Sequence, residues 1–212
     1  MPVMQSTAAI ARAGAPVPSA RLDGAVVALG DRVILRGVAI EVLPGITVLR
    51  GPNGSGKTTA LRALAGLVPL LRGSVDVAGD LLYLGHRPQL VHGLTARENL
   101  AFFAAFRERR ADVGVPLRSW GLGADADRPV EQLSAGQRRR AALARIESER
   151  CDILLLDEPF AELDDEAVAR LQRALRDSAG GGAAVLIASH GHADLDRDAR
   201  RVYLMHDGEV QG

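Results

Sequence analysis

The chain has 212 residues, 47% of them hydrophobic and 25% charged, which suits one domain with an inserted subdomain and excludes wholesale disorder, a collagen repeat and a disulfide scaffold. Its 26 basic and 26 acidic residues cancel, so no global field recruits nucleic acid or anionic lipid. The single cysteine, Cys151, cannot close an internal disulfide, and no run approaches the roughly 20 apolar residues of a spanning helix; the cytosol is the expected compartment. Residues 1–20, rich in Ala, Pro and Ser, read as a flexible leader before a domain over 21–212. Arg12, Pro16 and Pro18 interrupt any signal-peptide core. From Arg21 to Ile40, apolar runs alternate with Gly30, Asp31 and Gly37, which predicts short antiparallel strands. Ile46 to Leu49 predicts a strand, Thr58 to Leu67 a helix, and Ser74 to Val77 and Leu81 to Leu84 two further strands. Thr95 opens a helix to about Arg109, with Glu98 completing a capping box. Pro116 to Pro129 reads as loop, and Ser134 caps a helix to about Arg150. Ile153 to Leu156 and Ala184 to Ala188 read as strands buried on both faces, separated by a helix over Asp164 to Ser178. Tyr203 to Met205 is the last strand. This order predicts an α/β fold with a mostly parallel sheet, an antiparallel β part and a helical subdomain inserted over about 88–150.

Among the 26 basic residues only Lys57 is lysine, and its address is informative. Gly51 to Thr58 reads GPNGSGKT, which fits G-x-x-x-x-G-K-[ST] between a predicted strand and helix. Gly51, Gly54 and Gly56 let the backbone wrap phosphate without Cβ clashes, and the helix adds its positive N-terminus. The expected cradle is therefore Gly51, Asn53, Gly54, Ser55, Gly56, Lys57, Thr58 and Thr59. Lys57 reaches the β/γ-phosphates, where a compact ammonium suits better than a rigid guanidinium fork. Downstream, Asp157 stands at the end of a buried strand, placed with Thr58 to hold Mg²⁺. Glu158 follows, placed to orient or deprotonate the attacking water. Read alone, the acidic pair also fits a helix cap.

Leu133 to Gln137 reads LSAGQ, followed by RRRAALAR. With the two phosphate motifs, the chain resembles the ATP-binding-cassette (ABC) family, in which this signature is usually LSGGQ; Ala135 replaces one glycine. The resemblance implies ATP as substrate, Mg²⁺ as its companion, and a homodimer in which Ser134 and Gly136 serve the γ-phosphate held by the other subunit. By itself LSAGQ also fits an ordinary capped helix. Asp164 in AELD resembles the loop that crosses that dimer interface, and His190 the switch histidine that contacts the γ-phosphate; His192 has no such argument. Two positions depart from the family. The Mg²⁺-sensing glutamine falls on His86, with Gln89 three residues later, and Leu29 stands where an aromatic usually stacks on adenine. The stretches LYLGHRPQLVHGLTARENLAFF, LSAGQRRRAALAR and LLLDEPFAELD resemble the ATP-binding subunits of the haem exporters of cytochrome c biogenesis, over about Leu22 to Gly208. That resemblance implies an integral membrane partner, a peripheral place at the cytoplasmic face of the inner membrane, and no nucleic acid.

Weaker features carry competing readings. Phe102, Phe103 and Phe106 have the spacing of core aromatics or of a groove for a membrane subunit, the core being expected. Arg138 to Arg140 are expected on a solvated face. Cys151 reads as a small core residue, and Trp120 has no role legible in the sequence. Another ABC exporter subunit, or a soluble ABC ATPase acting on nucleic acid or ribosomes, is the alternative function; the latter usually carries long insertions or two cassettes. A small-molecule kinase is disfavoured by LSAGQ, and a non-hydrolysing regulatory subunit by Glu158 and His190.

Overall fold

The computed structural model describes residues 17–109, 112–190 and 195–211. The first two strands are longer than expected: β1 (Ser19–Leu29) and β2 (Arg32–Val42) form an antiparallel hairpin turned at Gly30 and Asp31. Ser19 and Ala20, assigned to the leader by composition, already belong to β1, with Ala20 fully buried; leader positions 1–16 lie outside the described residues. Gly37 is not a turn. It sits inside β2 at φ 77°, between the pairs Ala25↔Val38 and Val26↔Arg36, where an unpaired residue bends the strand. A third strand, β4 (Arg72–Ala78), pairs with β1 to complete a sheet ordered β2-β1-β4.

The second sheet contains β3 (Gly45–Arg50), β5 (Leu81–Leu84), β6 (Ile153–Asp157), β7 (Ala184–Ser189), β8 (Ala199–His206) and β9 (Glu209–Gln211). Their order is β5-β6-β7-β3-β8-β9, parallel throughout except for β9 against β8. Strands β6 and β7 are buried on both faces, which explains their continuous apolar runs. Ile153, Leu155, Ala184 and Leu186 face one core, shared with Leu61 and Leu64 of α1 (Lys57–Leu64) and with Leu22, Leu35 and Ile40 of the antiparallel sheet. The alternate residues Leu154, Leu156, Val185 and Ile187 face another core, built with the helices between positions 96 and 180. Helix α1 stops before Leu67: Ala65 caps it, Gly66 turns at φ 69°, and Leu67 is left 59% exposed.

Helices α2 (Ala96–Phe106), α3 (Gly114–Ser119), α4 (Ala135–Leu143) and α5 (Arg145–Glu149) lie between β5 and β6 in the chain, and α6 (Asp165–Gly180) and α7 (Leu195–Asp198) follow β6 and β7. Thr95 and Glu98 make both bonds of the expected capping box at α2. The stretch read as loop from Pro116 begins inside α3, and the helix read through to Arg150 is divided at Ala144 into α4 and α5. Trp120 acquires a role here: it is buried, its Nε1 donates to Glu147 Oε1 at 2.8 Å, and the Arg170 guanidinium of α6 lies 5.4 Å from its ring centroid. One ring therefore ties α3, α5 and α6 together. Cys151 is 5% exposed and burial pushes its thiol up to about 11, consistent with a core residue.

Two expectations about side chains are overturned. The inward face of α2 is Ala96, Asn99, Leu100 and Ala104, so Phe102 and Phe106 fall on the other side, 48% and 81% exposed. Arg139 is not solvated: it is 2% exposed and the largest fully buried side chain among the described residues. Its helical phase accounts for this, since Arg139, Ala142, Leu143 and Ile146 recur at i, i+3, i+4 and i+7 and all are buried.

Candidate nucleotide site

Because β3, β5, β6 and β7 are parallel, their carboxyl ends finish at one edge of the sheet, where open α/β sheets bind ligands. An open cavity of about 1560 Å³ lies there. Asn53, Gly54, Gly56, Lys57, Thr58 and Thr59 line it from the first loop, His86 and Gln89 from beyond β5, and Asp157, Glu158 and His190 from the ends of β6 and β7. The glycine loop approaches its neighbours closely: a Cβ on Gly51 would stand 2.2 Å from the carbonyl oxygen of Met205, and one on Gly56, at φ 112°, would stand 3.0 Å from Leu35. Gly51 and Ser55 do not line the cavity. The Ser55 hydroxyl is buried with no hydrogen-bond partner, and the Ser55 carbonyl accepts from the Gly208 N–H at 2.9 Å, so the β8–β9 turn braces the loop.

Lys57, 6% exposed, donates from Nζ to the carbonyls of Gly51 at 2.7 Å and Pro52 at 3.0 Å, and stands 4.0 Å from Glu158 Oε1. Thr58 Oγ1 donates to Asp157 Oδ2 at 2.9 Å. Burial raises the Asp157 carboxyl above the ordinary carboxylate range, an effect that the Thr58 bond and the charges of His86 and Arg62 partly oppose. Asp157 Oδ1 is buried with no hydrogen-bond partner. Among the described residues no group of three or more His, Cys, Asp or Glu could hold a metal alone. Two hard oxygen donors, one of them unpartnered, fit Mg²⁺, which takes its remaining ligands from water and phosphate.

Glu158 adopts φ 46°, a left-handed conformation disfavoured for a side chain with Cβ. Its backbone is held from both sides: its N–H donates to Ala188 O at 2.9 Å, and its carbonyl accepts from Arg139 Nη2 at 2.7 Å. Its carboxylate is thereby aimed at His190, with Oε1 2.8 Å from Nδ1. His190 is largely exposed to the cavity; His192 lies outside the described residues. His86 and Gln89 both border the cavity, but only His86 bears on the charge of Asp157.

Ser134, Gly136 and Asp164 are not brought to this cavity. Ser134 opens α4, accepting from the Gln137 N–H while its own N–H donates to the Gln137 side chain. Asp164 caps α6, accepting from Ala167 N–H at 2.8 Å. Leu29 also lies outside the lining, which on the β2 side is Arg32, Val33, Ile34 and Arg36. Sequence reasoning missed Tyr83, which lines the cavity beside Arg62, and Arg139, whose signal was the helical spacing described above.

Residues 35–161 match the family model described as ABC transporter. The chain belongs to the ABC transporter family. It is therefore an ATP-hydrolysing, nucleotide-binding subunit of the ABC type. Within the family it is similar to the cytochrome c biogenesis ATP-binding export protein CcmA of Ruegeria pomeroyi, at 43% identity over 81% of this chain and 85% of the relative. It is likewise similar to CcmA of Hahella chejuensis, at 38% over 82% and 90%, and of Paracoccus denitrificans, at 43% over 77% and 79%. The fold matches that of the ATP-binding subunit of an ABC transporter, with a TM-score of 0.83 and 23% identity over 91% of this chain and 88% of the other. It also matches a dimeric ATP-binding cassette bound to ADP and Pi, with a TM-score of 0.80 and 23% identity over 91% and 97%. No helix among the described residues is long and apolar enough to cross a membrane.

Proposed function

We infer that the chain drives haem export for cytochrome c biogenesis, as a homodimer attached to an integral membrane subunit at the cytoplasmic face of the inner membrane. The observation that carries this reading is the gathering of Lys57, Thr58, Asp157, Glu158 and His190 around one cavity in a chain 43% identical to an export protein of that system. The ABC domain takes in β1 from Ser19 onward, with the helical subdomain inserted at about 88–150. The loop N–H groups and the start of α1 bind the phosphates of ATP. Lys57 turns its ammonium from loop carbonyls to the β/γ-phosphates. Thr58 and Asp157 hold Mg²⁺, which supplies neutralisation of phosphate charge. Glu158 orients the attacking water and accepts its proton. His190 meets Glu158 through Nδ1 and turns its other ring nitrogen toward the γ-phosphate. His86 stands where the family usually has its glutamine and borders the cavity, as does Gln89.

Since Ser134, Gly136 and Asp164 stand away from the chain's own cavity, they act in the partner's. The start of α4 meets the γ-phosphate held by the second copy, and Asp164 lies at the seam of a C2 dimer. The exposed rings of Phe102 and Phe106 support contact with the membrane subunit. Without an aromatic at Leu29, adenine stacking contributes little to affinity.

The test is to purify tagged Glu158→Gln chain from membranes with ATP and identify what accompanies it. The expected result is one or more integral membrane proteins whose absorbance shows haem. A chain confined to the soluble fraction, with no membrane companion, rejects the transport reading.

A further inference from the structure

Arg139 has the environment of a linchpin. It lies on α4, five residues beyond the serine that opens that helix, and enters the gap between the turns that follow β5 and β6. Nη1 donates to the carbonyls of Gly85 at 2.8 Å and His86 at 3.1 Å. Nη2 donates to those of Glu158 at 2.7 Å and Asp157 at 3.4 Å. Burying a guanidinium is costly, and this one is met by four carbonyl dipoles; its Nε is buried with no partner. Apolar packing of α4 would need no such group. The planar fork is the one side chain whose donors reach two backbone turns at once in fixed geometry.

Both turns carry residues of the phosphate site. The peptide that follows the left-handed Glu158 has its carbonyl fixed by Arg139, and the peptide before it is fixed by Ala188. Rotation of either peptide would swing the Glu158 carboxylate away from His190. We propose that Arg139 is a positioning residue for ATP hydrolysis, holding the Glu158 and His86 turns in the orientation that aims Glu158 at the attacking water. It does not line the cavity. This inference rests on the assignment of Glu158 as the water-activating group.

The test uses the full chain, with kcat and KM for ATP, the affinity for a fluorescent ATP analogue, and Tm. Two variants, Arg139→Lys and Arg139→Gln, are compared with wild type, with Glu158→Gln, and with the double variant Glu158→Gln/Arg139→Lys. Misaligning a catalytic group by about an ångström costs on the order of 10²-fold, so Arg139→Lys is expected to lower kcat by about that factor. KM and analogue affinity should stay within about threefold, since the loop that binds phosphate is untouched. Lysine keeps the charge but not the fork, so charge alone does not rescue. In the Glu158→Gln background the further loss should be under about twofold, because residues acting as one unit are not additive.

A kcat within about twofold of wild type in folded Arg139→Lys overturns the proposal, as does a full additional loss in the Glu158→Gln background. Unfolding of both variants, seen as a Tm drop of more than about 10 °C, also overturns it, leaving a structural clamp alone. Failure of the underlying reading looks different: wild type releases no phosphate, or Glu158→Gln keeps its full rate.

Discussion

At the scale of single residues, the same burial that shapes the site also weakens the fold. Asp157 is 1% exposed and its carboxyl is held above the ordinary range chiefly by that burial. A carboxyl with a higher pKa folded than unfolded binds its proton more tightly in the native state. Stability therefore falls as pH rises through the interval between the two values, and the full penalty stands above that interval. Asp157→Asn removes the charge while keeping the shape and the acceptor for Thr58. Without Mg²⁺ and nucleotide, that variant should melt above wild type at pH 7.5 and converge with it as the pH drops toward the carboxyl's range. Its hydrolysis should fall by about 10² or more, as for removal of a charge-stabilising group. Thermal melts across pH and phosphate-release rates check both; a lower Tm at neutral pH would remove the burial argument. Lys57, Thr58, Asp157, Glu158 and His190 were legible in the sequence because glycine spacing and strand ends imply where a side chain stands. Arg139 was not, because a run of three arginines reads as solvated until its middle member is placed in phase with Leu143 and Ile146.

Elements were legible where periodicity was clean. The alternation of β6 and β7 between two cores gave uninterrupted apolar runs, and the turn at Gly30 and Asp31 lies where punctuation put it. Bounds were lost where one residue decides them, as at Gly66 behind α1 or Ala144 between α4 and α5. The helices between β5 and β6 are held by polar groups that apolar patterning does not reveal. Asn99, fully buried, satisfies the backbone of Val91, Leu94 and Thr95. Glu149, fully buried at the end of α5, pairs with Arg107 beyond α2 and with Arg145 at 2.6 Å; the latter's guanidinium lies 3.5 Å from the Phe103 ring centroid. Deleting one member of a buried ion network leaves the others uncompensated, at a cost of about 3–5 kcal/mol. Glu149→Ala should lose that much in urea unfolding; a loss under about 1 kcal/mol, typical of a surface pair, would contradict it.

For the molecule as a whole, the parallel sheet explains why one edge holds the chemistry. The architecture of the assembly turns on where the start of α4 acts. Ser134 is exposed, its capping box is complete, and it lies away from its own cavity; the dimer proposed above gives that helix start the second copy's phosphate to meet. LSAGQ could be read in the sequence, but its distance from the glycine loop could not, because sequence spacing carries no information on which site a helix end faces. The most direct measurement is the mass in solution, by light scattering, of the Glu158→Gln chain with saturating ATP and Mg²⁺. The account predicts about twice the 22.4 kDa of one chain, reverting to a single chain when Ser134→Arg is added while nucleotide binding persists. A Glu158→Gln chain that binds ATP and stays at the mass of one copy would contradict it.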